Sequence, residues 1–265
     1  MSEHEDDEMS CSPRTDEMEE TSVADIPVTD AIDFALVEPK ELRVGYDIPS
    51  ERLKGIFPKC ARYFNLRITD VGLYSVTRRE ESFYITNLIV KYFSPYQKRF
   101  TITDSSSGMG GNGISFLLHP SIDHVHFVEL HPLHCEILRH NIQVYGMEQK
   151  ATVHEGNYLE VGSQIQQHVI FHDFPWGGSG YRDASQLRLG LCTGNSQTWG
   201  RDQWVPIEDI VNEYRPRSQL QVCKVPVNFA FRNFFEKIEF QKIKIHKVYN
   251  RFSKKLYYYL IFLFS

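Results

Sequence analysis

Phe100-Thr101-Ile102-Thr103-Asp104 runs into Ser105-Ser106-Ser107-Gly108-Met109-Gly110-Gly111-Asn112-Gly113 and then into the apolar segment Ile114-Ser115-Phe116-Leu117-Leu118. Phe100 and Ile102 alternate with threonines at the two-residue period of a strand, and the segment after the glycines has the spacing of a helix. The order is therefore strand, glycine loop, helix. Glycines at 108, 110 and 111 let backbone come close to a ligand. The loop lacks the Gly-Lys-Ser/Thr of a phosphate-gripping loop, which argues against phosphoryl transfer.

Downstream, the pattern repeats. Val125–Glu129 reads as a second strand ending on an acid, and Pro132–Tyr145 as a helix closed by Gly146. Ala151–His154 is a third strand, followed by Glu155-Gly156-Asn157, and Val169–Phe171 a fourth. Residues 182–205 read as a polar loop, and residues 206–213 as a helix opened by Pro206. Leu220–Val225 is a strand and Phe229–Ile238 a helix. Ile243–Val248 and Leu256–Phe264 close the chain as an antiparallel pair. Strands alternating with helices predict an α/β fold on a mostly parallel sheet. Ending on a hairpin argues against a nicotinamide dehydrogenase.

Upstream, Thr77 and Glu80 have the spacing of a capping box. The helix predicted from it runs to about Phe93, with Phe83 and Leu88 on its inner side, and Pro95 stops it. Residues 31–67 form a small N-terminal extension in which Ala31–Val37 and Ile48–Tyr63 are expected as short helices. Arg52, Lys54, Lys59, Arg62 and Arg67 make it basic, either as a solvated helix face or as a phosphate-facing lid.

Residues 1–30 carry eleven acids against Arg14, a net of −10, so the rest of this chain of net −5 stands at +5. The acidic segment is expected as a solvated, disordered tail, and the mildly basic body suits an anionic ligand. The five cysteines are scattered without zinc or redox spacing, which predicts reduced intracellular thiols. No secretory leader is expected from an acidic N-terminus. The apolar run Leu256–Phe264 is too short to span a bilayer. His124, His126, His131, His134, Cys135 and His140 show no metal-ligand spacing, and Cys135 has no base at a recognisable distance.

Glu129 stands 18 residues after Gly111, where a strand-end carboxylate accepts the hydroxyls of a ribose. Asn157 offers both a donor and an acceptor to an adenine edge, or forms a turn. Asp173-Phe174-Pro175-Trp176-Gly177-Gly178 is the most specific element. An exocyclic amine is a poor nucleophile, because its lone pair is delocalised into the ring. A carboxylate and carbonyls directed at its hydrogens free that pair, and an aromatic face holds the base in line with a sulfonium methyl. Lys254 and Lys255, at the hairpin, are candidates to meet substrate phosphates.

These motifs, in this order, resemble a class I S-adenosylmethionine-dependent methyltransferase, and more closely the trimethylguanosine synthase family of cap guanine-N2 methyltransferases. The matching pieces are Tyr74-Ser75-Val76-Thr77, Asp104 to Asn112, Glu129-Leu130-His131-Pro132, Asn141–Gly146, Phe174–Gly178 with Tyr181, and Pro226-Val227-Asn228. They lie within residues 68–265, the expected methyltransferase domain. The resemblance implies a Rossmann-like fold with a seven-stranded sheet. It places Asp104, Gly108, Gly110 and Asn112 around the methionine end of S-adenosylmethionine, with Glu129 on its ribose, Asn157 near its adenine and Asp173 nearby. Trp176 stacks on 7-methylguanine, a cation, while Asp173 and the Phe174 and Pro175 backbone meet its N2 amine. Ser75, Thr77, Tyr181, Asn228 and Lys254 line the substrate side. The implied partner is capped RNA, with no metal and no membrane, acting as a monomer inside the cell, in cytoplasm or nucleus. The sequence departs from the family at Phe174, where a proline is usual, at Asn157, where an acid is common, and at Val227, where an arginine is frequent. Two other readings stay open: methylation of another nucleobase amine such as adenine N6, and a cap- or RNA-binding subunit without catalysis.

Overall fold

The computed structural model describes residues 50–194 and 204–265, together with the strand pairs Glu20–Thr21 (β1), Asp33–Phe34 (β2) and Val44–Gly45 (β3). The chain then forms α1 (Ser50–Ile56), β4 (Ile68–Thr69), α2 (Gly72–Ser75) and α3 (Arg79–Phe93). β5 (Phe100–Asp104), α4 (Gly111–Leu118), β6 (Ile122–Glu129), α5 (Pro132–Tyr145) and β7 (Ala151–Glu155) follow. Next come α6 (Tyr158–Val161), β8 (Val169–His172), β9 (Leu187–Arg188), β10 (Gly190–Cys192) and β11 (Trp204–Pro206). α7 (Ile207–Tyr214), β12 (Leu220–Pro226), α8 (Phe231–Phe235), β13 (Lys242–Tyr249) and β14 (Leu256–Phe264) complete it.

The main sheet has the order β1-β13-β14-β12-β8-β5-β6-β7. Strands β7, β6, β5, β8 and β12 are parallel, and β14 runs antiparallel to both β12 and β13. This is the expected Rossmann-like α/β sheet of seven strands with its terminal hairpin, extended by β1. The chain leaves β5 toward β6 and β7, then returns to β8 on the other side of β5. That reversal opens a crevice beyond the carboxyl ends of β5 and β8, where open α/β sheets hold their ligands.

Apolar clusters on the two faces clamp the sheet. One unites Ile85, Ile89 and Phe93 of α3 with Phe116 of α4, Leu138 of α5 and the sheet residues Phe171 and Val222. The other unites Tyr158, Ile210, Tyr214, Phe231 and Phe234 with Cys223, Val225 and Ile261. A third seats α1 through Leu53, Ile56 and Phe57 against Met109 and Ile137. The glycine loop needs its small residues for packing as well as for a ligand. A Cβ on Gly113 would lie 2.1 Å from Phe127 Cε1.

Several expectations are corrected. Within Ala31–Val37, expected helical, Asp33–Phe34 is a strand parallel to β9. Backbone partners on β9 outweigh a helical pattern of only seven residues, which is marginal by itself. Ile48–Tyr63 is helical only over Ser50–Ile56, and Pro58 precedes a 3-10 turn at Tyr63–Asn65. Glu20–Thr21, inside the acidic segment expected as a disordered tail, pairs with Ile245 and His246 on β13; the other residues of 1–30 lie outside the described residues. Residues 182–205 hold three short strands instead of a plain loop. β10 pairs with β11, and Gly190 leaves room for the Trp204 ring. Phe83, expected on the inner side of α3, is exposed. The capping box does not form either, since α3 is flanked by Arg78 with no side-chain cap. Thr77 points instead into the crevice, and Glu80 pairs with Arg251 of the hairpin turn at 2.8 Å.

Candidate active site

β5 delivers Asp104 to the floor of the crevice. The side chain is buried and its Oδ1 has no hydrogen-bond partner among the described residues. Burial pushes its carboxyl up to about 8, with help from Asp173 and Glu129 and against the opposing Ser106 amide and Lys224. A buried acid with a spare oxygen is a hydrogen-bonding seat for a polar group of a ligand.

The glycine loop is fastened to the next strand. Gly108 N donates to Glu129 Oε2 at 2.8 Å, and His131 N donates to Glu129 Oε1 at 2.8 Å. His134 Nδ1 lies 3.5 Å from Oε1. Burial works against ionisation of Glu129, but His134, His131 and Gly108 together hold the carboxyl below its usual range. Two carboxylate oxygens offer about four acceptor sites, so three contacts leave room for a hydroxyl. Gly110, at φ 93, sits at the N-cap of α4 in the left-handed region that glycine tolerates.

β8 delivers Asp173 to the other side of the crevice. Asp173 follows His172, which burial pushes down to about 4, so it is neutral, bonded to Ser105 Oγ at 2.9 Å and Gln221 Oε1 at 3.0 Å. Asp173 Oδ2 is the focus of three donors: Lys224 Nζ at 2.9 Å, Asn112 Nδ2 at 3.2 Å and Thr77 Oγ1 at 3.4 Å. Lys224 and Asn112 also donate to Thr77 Oγ1, at 2.8 Å and 3.0 Å. Asn112 comes from the end of the glycine loop, in the first turn of α4, and Thr77 from the segment before α3. One network thus spans both halves of the crevice.

Phe174, in place of a proline, is fully buried with its ring 5.1 Å from that of His172, while Pro175 is exposed. Trp176 is half-buried, with Tyr181 edge-on at 5.1 Å. The left-handed Gly177 turns the chain away after it. Asn228 Nδ2 holds the returning loop by the carbonyls of Tyr181 (2.8 Å) and Ala184 (2.9 Å).

Other expected site residues are placed differently. Asn157 caps α6 through its side-chain oxygen, and its Nδ2 donates to the carbonyls of Cys192 (2.7 Å) and Gly194 (2.9 Å). Both amide hydrogens are thereby used within the protein, so the structure assigns it to the turn. Ser75 donates to Val71 O at 3.1 Å on the exposed side of α2. Lys254 lies in the exposed turn between β13 and β14, in the left-handed region at φ 55. Val227 is exposed at the end of β12.

Sequence reasoning missed Lys224, which sits on β12 among Leu220, Val222, Cys223 and Val225. Its ammonium lies 5.5 Å from the Trp176 ring centroid and 5.1 Å from that of Tyr258. The available signal was a lysine inside an apolar strand, since lysine is seldom buried without a partner. Among the described residues no group of three His, Cys, Asp or Glu side chains is arranged to hold a metal ion, the cysteines form no disulfide, and no helix is long and apolar enough to cross a membrane.

The sheet order and the crevice are those of the Rossmann-like class I methyltransferase fold. Residues 99–203 match the family model described as RNA cap guanine-N2 methyltransferase, in agreement with the resemblance carried by the motifs. The uncharacterized protein L320 of Acanthamoeba polyphaga mimivirus is 24% identical over 209 residues, 69% of this chain and 77% of its own. Among solved structures, the O-methyltransferase from Bacillus cereus in complex with SAH shares 14% identity over 72% of this chain and 84% of that one, with a TM-score of 0.49. TrmK of M. capricolum, in complex with S-adenosyl-homocysteine, shares 12% identity over 68% and 67%, with a TM-score of 0.42.

Proposed function

We propose that this chain transfers a methyl group from S-adenosylmethionine to the exocyclic N2 amine of a 7-methylguanosine RNA cap. The observation that carries the reading is that Lys224 Nζ lies 2.9 Å from Asp173 Oδ2 and 5.5 Å from the Trp176 ring centroid, with Asp173 and Trp176 in a segment matched to cap guanine-N2 methyltransferases. The residues present fit the donor. The unpartnered Oδ1 of buried Asp104 suits the ammonium of a methionine moiety, and Glu129 has capacity left for a ribose hydroxyl. Bound there, S-adenosylmethionine supplies an electrophilic methyl on a sulfonium.

The chain's own residues act on the acceptor. Trp176 offers an aromatic face to a base that 7-methylation has made cationic, a contact that contributes roughly 1–2 kcal/mol when partly desolvated. Asp173 Oδ1, to which no described residue donates, accepts an N2 hydrogen. That bond draws the nitrogen lone pair out of conjugation and aims it at the methyl. As the N–C bond forms and the S–C bond breaks, the nitrogen sheds a proton, for which Asp173 Oδ1 is the adjacent acceptor.

Incubating the protein with labelled S-adenosylmethionine and either m7GTP or GTP tests this. Label is expected on m7GTP and not on GTP. Equal labelling of both refutes cap recognition, and labelling of uncapped nucleic acid at adenine supports the other amine-methylation reading. Absence of transfer, with the cofactor still bound, supports a binding subunit.

A further inference from the structure

We propose that Lys224 is a positioning residue for methyl transfer: it occupies one oxygen of Asp173, leaving the other oxygen to meet the incoming amine. This deepens the reading above and rests on it.

The seat of Lys224 is unusual. It pairs with Leu260 across β14, between apolar neighbours, and is only 7% exposed. Desolvating an ammonium is costly unless its donors are all engaged. Its partners are the Asp173 carboxylate and the Thr77 hydroxyl, with the rings of Trp176 and Tyr258 on its flanks. Asp173, Thr77 and Trp176 among them stand at the crevice, while Tyr258 is fully buried. A lysine placed for stability alone would have no reason to gather these residues.

The geometry also divides the two oxygens of Asp173. Lys224, Asn112 and Thr77 all direct their hydrogens at Oδ2. No described residue donates to Oδ1, and the side chain is 16% exposed, so its open side is available to a ligand. Carboxyls crowd the same place. Glu81 of α3 and Asp104 of β5 both interact with Asp173, and the charge of Lys224 favours the ionised form of each. Arg78 acts on Glu81 as well, but among the causes acting on Asp104 the cation is Lys224. Without it, Oδ2 would lose its shortest donor and Asp173 the contact that fixes which oxygen faces the crevice. The neutral Asp173–Lys224 pair also spares a cationic base from a bare ammonium beside Trp176.

The test is a double-mutant cycle on the full chain, using Lys224→Met, Asp173→Asn and the double variant, with m7GTP in single-turnover reactions. Lys224→Met is expected to slow transfer about 100-fold, the scale of a misplaced reacting group. The KM for S-adenosylmethionine and the melting temperature should be held. In the Asp173→Asn background the same change should cost less than about threefold, because Lys224 acts through Asp173. Equal losses in both backgrounds, or wild-type rates in Lys224→Met, overturn the proposal. Lys224→Gln replaces Lys224→Met if the latter fails to fold. A wild-type protein that leaves m7GTP unmethylated overturns the cap reading and this inference with it, an outcome distinct from an active wild type with an indifferent Lys224.

Discussion

Asp104→Asn should change how stability responds to pH, and the size of the change follows from the burial of the carboxyl. Its folded value lies at about 8 against 3.8 for the free group. The group therefore holds its proton in the folded state long after the unfolded chain has released it. Folding takes up a proton throughout that interval, so the stabilising contribution is complete below about 3.8 and is lost as pH rises toward 8. Between about pH 6 and about pH 7.5, linkage gives a loss of about 2 kcal/mol. For a domain of this size that is a fall of roughly 4–8 °C in melting temperature. Two desolvated histidines respond in the opposite sense. Those at 126 and 172 are pushed down to about 4, so their contribution to stability grows as pH rises through the unfolded value. The same term stands in wild type and variant, and their difference removes it. Melting curves of both proteins at the two pH values are the assay. The wild type should lose about 2 kcal/mol relative to Asp104→Asn across the interval. A gap that stays constant within about 0.5 kcal/mol would mean that Asp104 is already ionised, and the electrostatic account of the crevice floor would fail.

Trp176→Ala should abolish methyl transfer while calorimetry with S-adenosylhomocysteine finds affinity within about threefold of wild type, since the ring stands on the acceptor side. Loss of cofactor binding would show instead that Trp176 holds the loop together. Gly113→Ala should lower the urea midpoint by an amount equivalent to about 1–3 kcal/mol, because the new methyl meets the Phe127 ring. An unchanged midpoint would refute the close packing of α4 on β6.

The alternation of strands and helices from Phe100 to Phe264 was legible because each element declares itself within a dozen residues. Glycine, proline and period-two runs mark their own boundaries. The elements that the sequence concealed depend on distant partners. Asp33–Phe34 is a strand because β9 lies beside it, and Thr77 forgoes capping because Lys224, Asn112 and Asp173 offer it better hydrogen bonds. Lys224 itself stands 51 positions from Asp173, and no local pattern links them. Glu129 was legible as a strand-end acid behind a glycine loop, whereas the engagement of Asn157 with the Cys192 and Gly194 carbonyls depends on a loop that folds back over it.

Phe174 carries one more consequence. A second proline at this position would stiffen the acceptor loop through its own ring, independently of what lies beneath. Here the loop is stiff because the Phe174 side chain belongs to the buried cluster that holds Tyr158, Tyr214, Phe229 and Phe231, the packing that also seats α7 and α8. Rigidity of the reacting groups is thus borrowed from the interior of the molecule, and warming that loosens the interior releases them too. Loss of the loop's form and loss of the fold on heating are then a single event.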